Sequence, residues 1–431
     1  MKITSNIHAK QETSEVRLVN KKQLSTIAVG IIAATQAQGA GFQVAEHSAT
    51  GLGRAYSGEA AIADNASTLA RNPANMMLLE KRQVSGAIHI VDPHIRIKDK
   101  TNNEEAKDVA PVKAVPAFYF VSPQTDKWSW GIGLYTTYGV ATDYPDDLQI
   151  GDIAGHTDLL TTNLNPALAY QVNDKWSVGV GLSLVYAKAE LTRYKGALAA
   201  GLGGDKRDNL LSLKGDAVGY GFNVGTTYHF NDDHRIGFGY RSEVALEFED
   251  GDLNSYDTGI STPPKVDGDL ELDLPEIYEV SGFHQLTDDF AMHYSWKRTG
   301  WRSFKELKAT SSQCNNGTPN QCFYKDEQYK DNVRLSLGGT YQFNDAWTGR
   351  AGIAFDEKAG KATLSIPDSD RYWYSTGFTY QYNADLTIDA AITWIRSRDG
   401  NFKETNGLGQ DIEISSKGDA YLSAVQLNYT F

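Results

Sequence analysis

Six times along its 431 residues this chain passes through a short Asn/Thr-Asp or Asn-Ala-Asp step, flanked on both sides by alternating apolar and polar residues. The steps read PQTDKWSWGIG from Pro123, QVNDKWSVGVG from Gln171, HFNDDHRIGFG from His229, QLTDDFAMHYS from Gln285, QFNDAWTGRAG from Gln342 and QYNADLTIDAA from Gln381. Asn and Asp tolerate left-handed backbone angles and bond their own backbone, so each step reads as a tight hairpin turn. Repeated hairpins of this kind commit the chain to antiparallel β structure. What remains open is what its two faces meet.

The flanking segments answer that. Trp176, Val178, Val180, Leu182, Leu184 and Tyr186 share one face, and Ser177, Gly179, Gly181 and Ser183 share the other. Val333, Leu335, Leu337, Tyr341 and Phe343 alternate in the same way with Arg334, Ser336, Gly338, Thr340 and Gln342. One face suits lipid and the other a polar or small-residue lumen. No apolar run approaches the roughly 18 residues of a transmembrane helix. Only 41% of the residues are hydrophobic, which a membrane barrel allows because its two faces cancel in the average. Trp128, Trp176 and Trp347, just after their turns, suit an aromatic girdle at a membrane interface. Six turns bound seven hairpins if both termini lie on one side, which predicts an all-β transmembrane antiparallel barrel of about fourteen strands. The surplus length between turns is expected in long extracellular loops at 142–158, 194–217, 249–273 and 310–330. A soluble sandwich explains neither loops all at one end nor outward aromatics. The last segment, AYLSAVQLNYTF, alternates to a terminal Phe431, which resembles the signal by which outer-membrane barrels are recognised for assembly.

Residues 1–39 read as a secretory signal. They have a basic start ending in Lys21-Lys22, an apolar stretch over 24–34 and small residues before Ala40. Export implies an oxidising compartment, and Cys314 and Cys322 lie eight apart in a polar stretch. A disulfide is the natural reading there, with two free thiols as the alternative. A net charge of −13 argues against nucleic acid as a partner. No HExxH pair, Gly-x-Ser-x-Gly elbow or complete phosphate loop is present, so catalytic residues, metal ligands and cofactors are all expected to be none, and the chain is expected not to be an enzyme.

Between the signal and the first convincing strand near Gln83 lies a segment, 40–81, with too little apolar mass to fold alone. It reads GFQVAEHSATGLGRAYSGEAAIADNASTLARNPANM, and its first 34 residues resemble the N-terminal hatch of the FadL/TodX family of outer-membrane long-chain fatty acid transporters. The likeness continues through LVYAKAELTRYKG, YRSEVALEFEDG, LPEIYEVSGFH, LKATSS, GIAFD and SIPDSDRYWYS. The resemblance implies a partly helical hatch over 40–81 inside a barrel over 82–431. It also implies a monomer set in outer-membrane lipid and lipopolysaccharide. Substrate, a long-chain fatty acid or similar hydrophobic ligand, is caught in an extracellular groove and passed to a lumen pocket. The hatch then rearranges, and substrate leaves sideways beside a kink in the third strand. The alternative within the family is an importer of aromatic or other hydrocarbons.

Carried over by local match, Arg193 in TRYKG and Lys325 in FYKDE face the carboxylate, Phe42 touches the pocket, and Asp356 is a pocket-side acid. Tyr138 and Gly139 in LYTTYGVATDY mark the kink, and Asn72, Pro73 and Ala74 sit beside it. Without the resemblance Arg193 reads as a solvated loop arginine and Lys325 as a surface lysine. Asp356 reads equally well as a lumen acid paired with an arginine, and Pro73 as an ordinary turn proline.

Overall fold

The computed structural model describes residues 40–255, 265–315 and 318–431; the expected signal at 1–39 lies outside them. The turns form for the reason the sequence suggests. Asn173 Oδ1 accepts the backbone N–H groups of Lys175 and Trp176, and Asn344 Oδ1 those of Ala346 and Trp347. Asn231 and Asn383 do the same for the two residues that close their turns. Where Thr replaces Asn, Thr125 Oγ1 accepts from Lys127 N and Thr287 Oγ1 from Phe290 N.

These turns join fourteen antiparallel strands in a closed barrel. The first six are β1 (Gln83–Asp99), β2 (Lys113–Thr125), β3 (Trp128–Tyr135, then Gly139–Asp143), β4 (Gly155–Asn173), β5 (Trp176–Tyr194) and β6 (Asn209–His229). There follow β7 (His234–Arg241, then Val244–Ser255), β8 (Lys265–Leu274, then Ile277–Gln285), β9 (Phe290–Thr299) and β10 (Asn332–Asn344). The last four are β11 (Trp347–Asp356), β12 (Arg371–Gln381), β13 (Leu386–Ser397) and β14 (Asp411–Thr430). Closure comes from β1 against β14, in continuous register from Gln83↔Thr430 to Asp99↔Ile414.

The alternation sorts as expected. Trp176, Val180 and Leu182 are 45%, 46% and 64% exposed on the outer face, while Ser177 and Ser183 are buried inside. Trp128, Phe343, Trp347, Tyr382 and Phe431 cluster outward at the short-turn end, an aromatic girdle.

Among the described residues, two of the four stretches expected as long loops, 249–273 and 310–330, are in large part strand. β6 begins at Asn209, β7 runs to Ser255 and β8 begins at Lys265. A hairpin of Glu306–Asn315 and Pro319–Asp326 fills most of 310–330, with Cys314 and Cys322 joined as a disulfide. The reason is a second, smaller core: Leu211, Leu213, Leu253, Val266, Leu270 and Phe323 pack with the disulfide beyond the end of the barrel wall. The strands therefore continue past the membrane as paired ladders.

Residues 40–79 lie inside the ring. Alanines, glycines and serines without an apolar stripe form only short helical pieces, at Ala49–Gly53, Ala66–Ala70 and Pro73–Leu78. Ser48, Asn65 and Asn72 cap them with their side chains. The wall holds this segment by polar groups. Gln426 Oε1 accepts from Ala49 N, Ser295 Oγ from Gly58 N and Ser281 Oγ from Ala60 N. Arg54 is ion-paired with Glu59 and Asp64, and Arg71 with Glu279 on β8. Buried pairs of this kind specify position more than they stabilise.

Candidate functional site

Two cavities lie one above the other at the extracellular end. The outer one is a groove of about 1820 Å³ of empty space, with Leu198, Leu202, Leu211, Phe323, Tyr324 and Arg193 among its walls. Leu198 and Leu202 reach it because residues 196–202, Gly- and Ala-rich, wind into two short helical turns. The inner cavity, about 900 Å³, is almost wholly apolar, with Leu159, Leu191, Phe248, Leu272, Phe304 and Phe42 among its lining. Leu253 and Lys325 line both.

Lys325 therefore stands at the passage between the two. Its Nζ donates to Ser365 Oγ at 3.0 Å and is 3.0 Å from Glu404 Oε1. Arg193, at the end of β5, is buried, and its Nη2 donates to the same Ser365 oxygen at 2.8 Å and to Thr157 Oγ1 at 3.2 Å. Its Nη1 donates to the carbonyls of His156 and Thr192. All four of these acceptors are neutral, and among the described residues no carboxylate lies within ion-pair distance of Arg193. A buried guanidinium held by neutral acceptors is fit to receive an anion. Beside Lys325, Glu327 is buried against the inner cavity, and burial pushes its carboxyl above the usual carboxylate range.

Phe42 closes the bottom of the inner cavity. Its ring is edge-on to Trp301 at 4.6 Å, to Phe304 at 5.3 Å and to Tyr138 at 6.0 Å. The turn that brings it there requires Gly41: φ is +63°, and a Cβ would stand 2.7 Å from Trp301 Cζ2.

Directly beside Phe42 the barrel wall is incomplete. β3 pairs with β2 only between Thr125/Trp128 and Phe118/Leu134. Higher up, Lys113–Ala117 of β2 pairs with β1, and Gly139–Asp143 of β3 pairs with β4. Between Tyr135 and Gly139 one extra residue enters β3, since their partners on β4 are Asn163 and Leu160. The N-terminal segment takes up the backbone groups thus freed. Val44 N donates to Thr137 O at 2.8 Å, Gly139 N to Phe42 O at 2.9 Å, and His47 Nε2 lies 2.9 Å from Thr136 O. Tyr138 is buried and its hydroxyl donates to Pro275 O. Gly139 does not take a left-handed angle, so backbone freedom is not what the break draws from it.

Four of the expected site residues lie elsewhere. Asn72, Pro73 and Ala74 make their contacts on β5 and β6 rather than at the kink. Asn72 Nδ2 donates to Thr226 O and Thr227 Oγ1, and a Cβ at Gly225 or Gly179 would collide with Asn72 or Ala74. Those two glycines make a flat stretch of wall, and the motif seats on it. Asp356 is not part of the cavity lining. It is buried in the lumen, where its Oδ1 accepts from Asn332 Nδ2 at 3.1 Å and its neighbours in register are Arg334 and Arg371. It is a lumen acid among arginines, the other reading its sequence allows.

Sequence reasoning missed Ser365, Glu327 and Glu404. Ser365 opens the family-like SIPDSD stretch, so a signal was present; Glu404 lies in a hairpin, Gly400–Thr405, that carries none.

Residues 30–431 match the family model described as outer membrane protein transport protein (OMPP1/FadL/TodX). The chain is 38% identical to the long-chain fatty acid transport protein of Escherichia coli O6:H1, over 97% of this chain and 100% of that one. It is 41% identical to the 47 kDa outer membrane protein of Pasteurella multocida, over 93% and 96%. Among solved structures, a Pseudomonas aeruginosa FadL homologue superposes with a TM-score of 0.80 at 23% identity, covering 91% of this chain and all of that one. The Pseudomonas putida toluene transporter TodX gives 0.69 at 19%, covering 93% and 100%.

Proposed function

The chain belongs to the outer membrane protein transport family (OMPP1/FadL/TodX), whose members are transporters and not enzymes, and from that premise we propose that it carries long-chain fatty acids inward across the outer membrane. The observation that carries this reading is the pairing of Arg193 and Lys325 at the passage into an apolar cavity. A hydrocarbon gains nothing from a cation, whereas a carboxylate takes charge-assisted hydrogen bonds from Arg193, which is held by neutral acceptors, and from Lys325.

The ligand first settles in the outer groove, then moves past Leu253 and Lys325 with its alkyl chain against Leu159, Leu272 and Phe248. Each methylene taken out of water contributes about 0.8 kcal/mol. The tail reaches Phe42, whose carbonyl holds Gly139. Displacing Phe42 frees the unpaired stretch of β3 and opens the gap toward lipid, with residues 40–81 serving as the hatch. The protein works as a monomer embedded in outer-membrane lipid and lipopolysaccharide, without a cofactor.

The test is equilibrium binding of oleate and of toluene to the purified protein and to Arg193→Ala/Lys325→Ala. Tight oleate binding that the double variant loses supports the reading. Toluene binding without oleate binding, unchanged in the variant, makes hydrocarbon uptake the function.

A further inference from the structure

The cations at the passage are already balanced before any ligand arrives. Arg193 and Lys325 bring two positive charges; Glu404 Oε1 at 3.0 Å and Glu327 Oε1 at 3.8 Å from Lys325 Nζ bring two negative ones. The two acids are differently placed. Glu404 Oε1 faces Lys325 Nζ, and its Oε2 accepts the N–H of Leu364 at 2.8 Å. Glu327 has only 2% of its side chain exposed, lines the inner cavity, and its Oε2 accepts no hydrogen bond from the described residues. An orphaned carboxylate oxygen against an apolar cavity is costly when charged and is satisfied when a proton bridges it to another oxygen. The charged and titratable groups around Glu327 are Lys325 and Asp326 on its own segment, Arg193 from β5, Glu404 from the Gly400–Thr405 hairpin, and the buried phenol of Tyr329.

We propose that Glu327 contacts the substrate and shares one proton with its carboxyl group, so that the inner cavity takes up a carboxylate together with a proton from solution. This rests on the fatty-acid reading above. A third carboxylate entering the cluster leaves one uncompensated negative charge out of water, and two carboxylates in contact do not both stay ionised. The proton comes from bulk water and sits between Glu327 Oε2 and one substrate oxygen; the second substrate oxygen accepts from Lys325. No covalent bond forms or breaks.

The experiment is titration calorimetry of laurate into the detergent-solubilised protein and Glu327→Gln, in buffers of different ionisation heat. The heat and proton count of laurate entering the same detergent without protein are subtracted. Wild type is expected to take up close to one proton per laurate, and its Kd to weaken on the order of tenfold per pH unit on the alkaline side. Glu327→Gln, whose amide donates to the carboxylate without titrating, is expected to bind with no net uptake and a flat pH profile. Laurate binding by wild type without proton uptake overturns this inference and leaves the fatty-acid reading standing, and that result needs no variant. Failure of laurate to bind at all overturns both.

Discussion

Arg193 Nη2 and Lys325 Nζ donate to one and the same atom, Ser365 Oγ, at 2.8 Å and 3.0 Å. A hydroxyl oxygen has two lone pairs, and here both are taken by cations. Ser365 thus holds two positive groups side by side, one from β5 and one from the extracellular hairpin. Replacing the neutral hydroxyl by a carboxylate turns two bonds from a cation to a neutral oxygen into bonds between opposite charges, and a hydrogen bond to a charged group contributes about 1.5–3 kcal/mol. Arg193→Ala is therefore expected to weaken oleate binding by about 10- to 100-fold while changing the affinity for oleyl alcohol little. Equal losses for acid and alcohol mean that Arg193 only supports the cavity wall.

The seat of the N-terminal segment makes a sharper demand on the wall. At Gly225 a Cβ would stand 1.9 Å from Asn72 Oδ1, whereas at Gly86 nothing lies within 4 Å. Gly225→Ala is expected to unseat Asn72, breaking its bonds to Ala60 O and Thr227 Oγ1 and orphaning buried groups at about 1–3 kcal/mol each. The barrel itself should survive. Limited trypsin digestion should then cut at Arg54 or Arg71 in the variant and leave Gly86→Ala as resistant as wild type. Equal resistance in both means the segment is held by its ion pairs rather than by this stretch of wall.

The barrel was legible because it is periodic: six Asn/Asp steps and alternating faces carry the strand count without knowledge of any contact. The site was legible only in part. Arg193, Lys325 and Phe42 were singled out by resemblance, since no local pattern marks them. The Asn72-Pro73-Ala74 motif says nothing of which wall it faces; Gly179 and Gly225 decide that. Glu404 and Ser365 meet Lys325 from 79 and 40 residues away along the chain, a convergence no one-dimensional reading supplies.

Glu46 gives the hatch a pH dependence. It is fully buried; its Oε2 accepts from Ala45 N, its Oε1 has no partner among the described residues, and burial raises its acid to about 7, with Arg334 and Arg71 pulling the other way. A carboxyl whose folded value is raised stabilises the seat fully below its ordinary value, and that contribution is lost as pH rises through about 7. Amides of residues 40–47, corrected for intrinsic rates, are expected to exchange more slowly at pH 5 than at pH 8. Glu46→Gln should erase the difference. A wild type with equal protection at both values places the charged form in a satisfied site.

Phe42 couples ligand to wall through a single residue. Its ring lines the cavity, and its carbonyl accepts from Gly139 N at 2.9 Å, where β3 has lost its partner on β2. Truncating a buried Phe costs about 3–5 kcal/mol, against about 1 kcal/mol for one backbone hydrogen bond, so the bond cannot hold the segment once the ring is gone. Phe42→Ala is expected to speed amide exchange at Val44 and Gly139 at least tenfold, with β9 to β14 unchanged. Saturating wild type with laurate should move the same two amides in the same direction, because the tail competes for the space the ring fills. If the variant moves them and laurate does not, substrate does not displace Phe42 and the wall opens by another route. If neither does, the contact between Phe42 and Gly139 plays no part in opening.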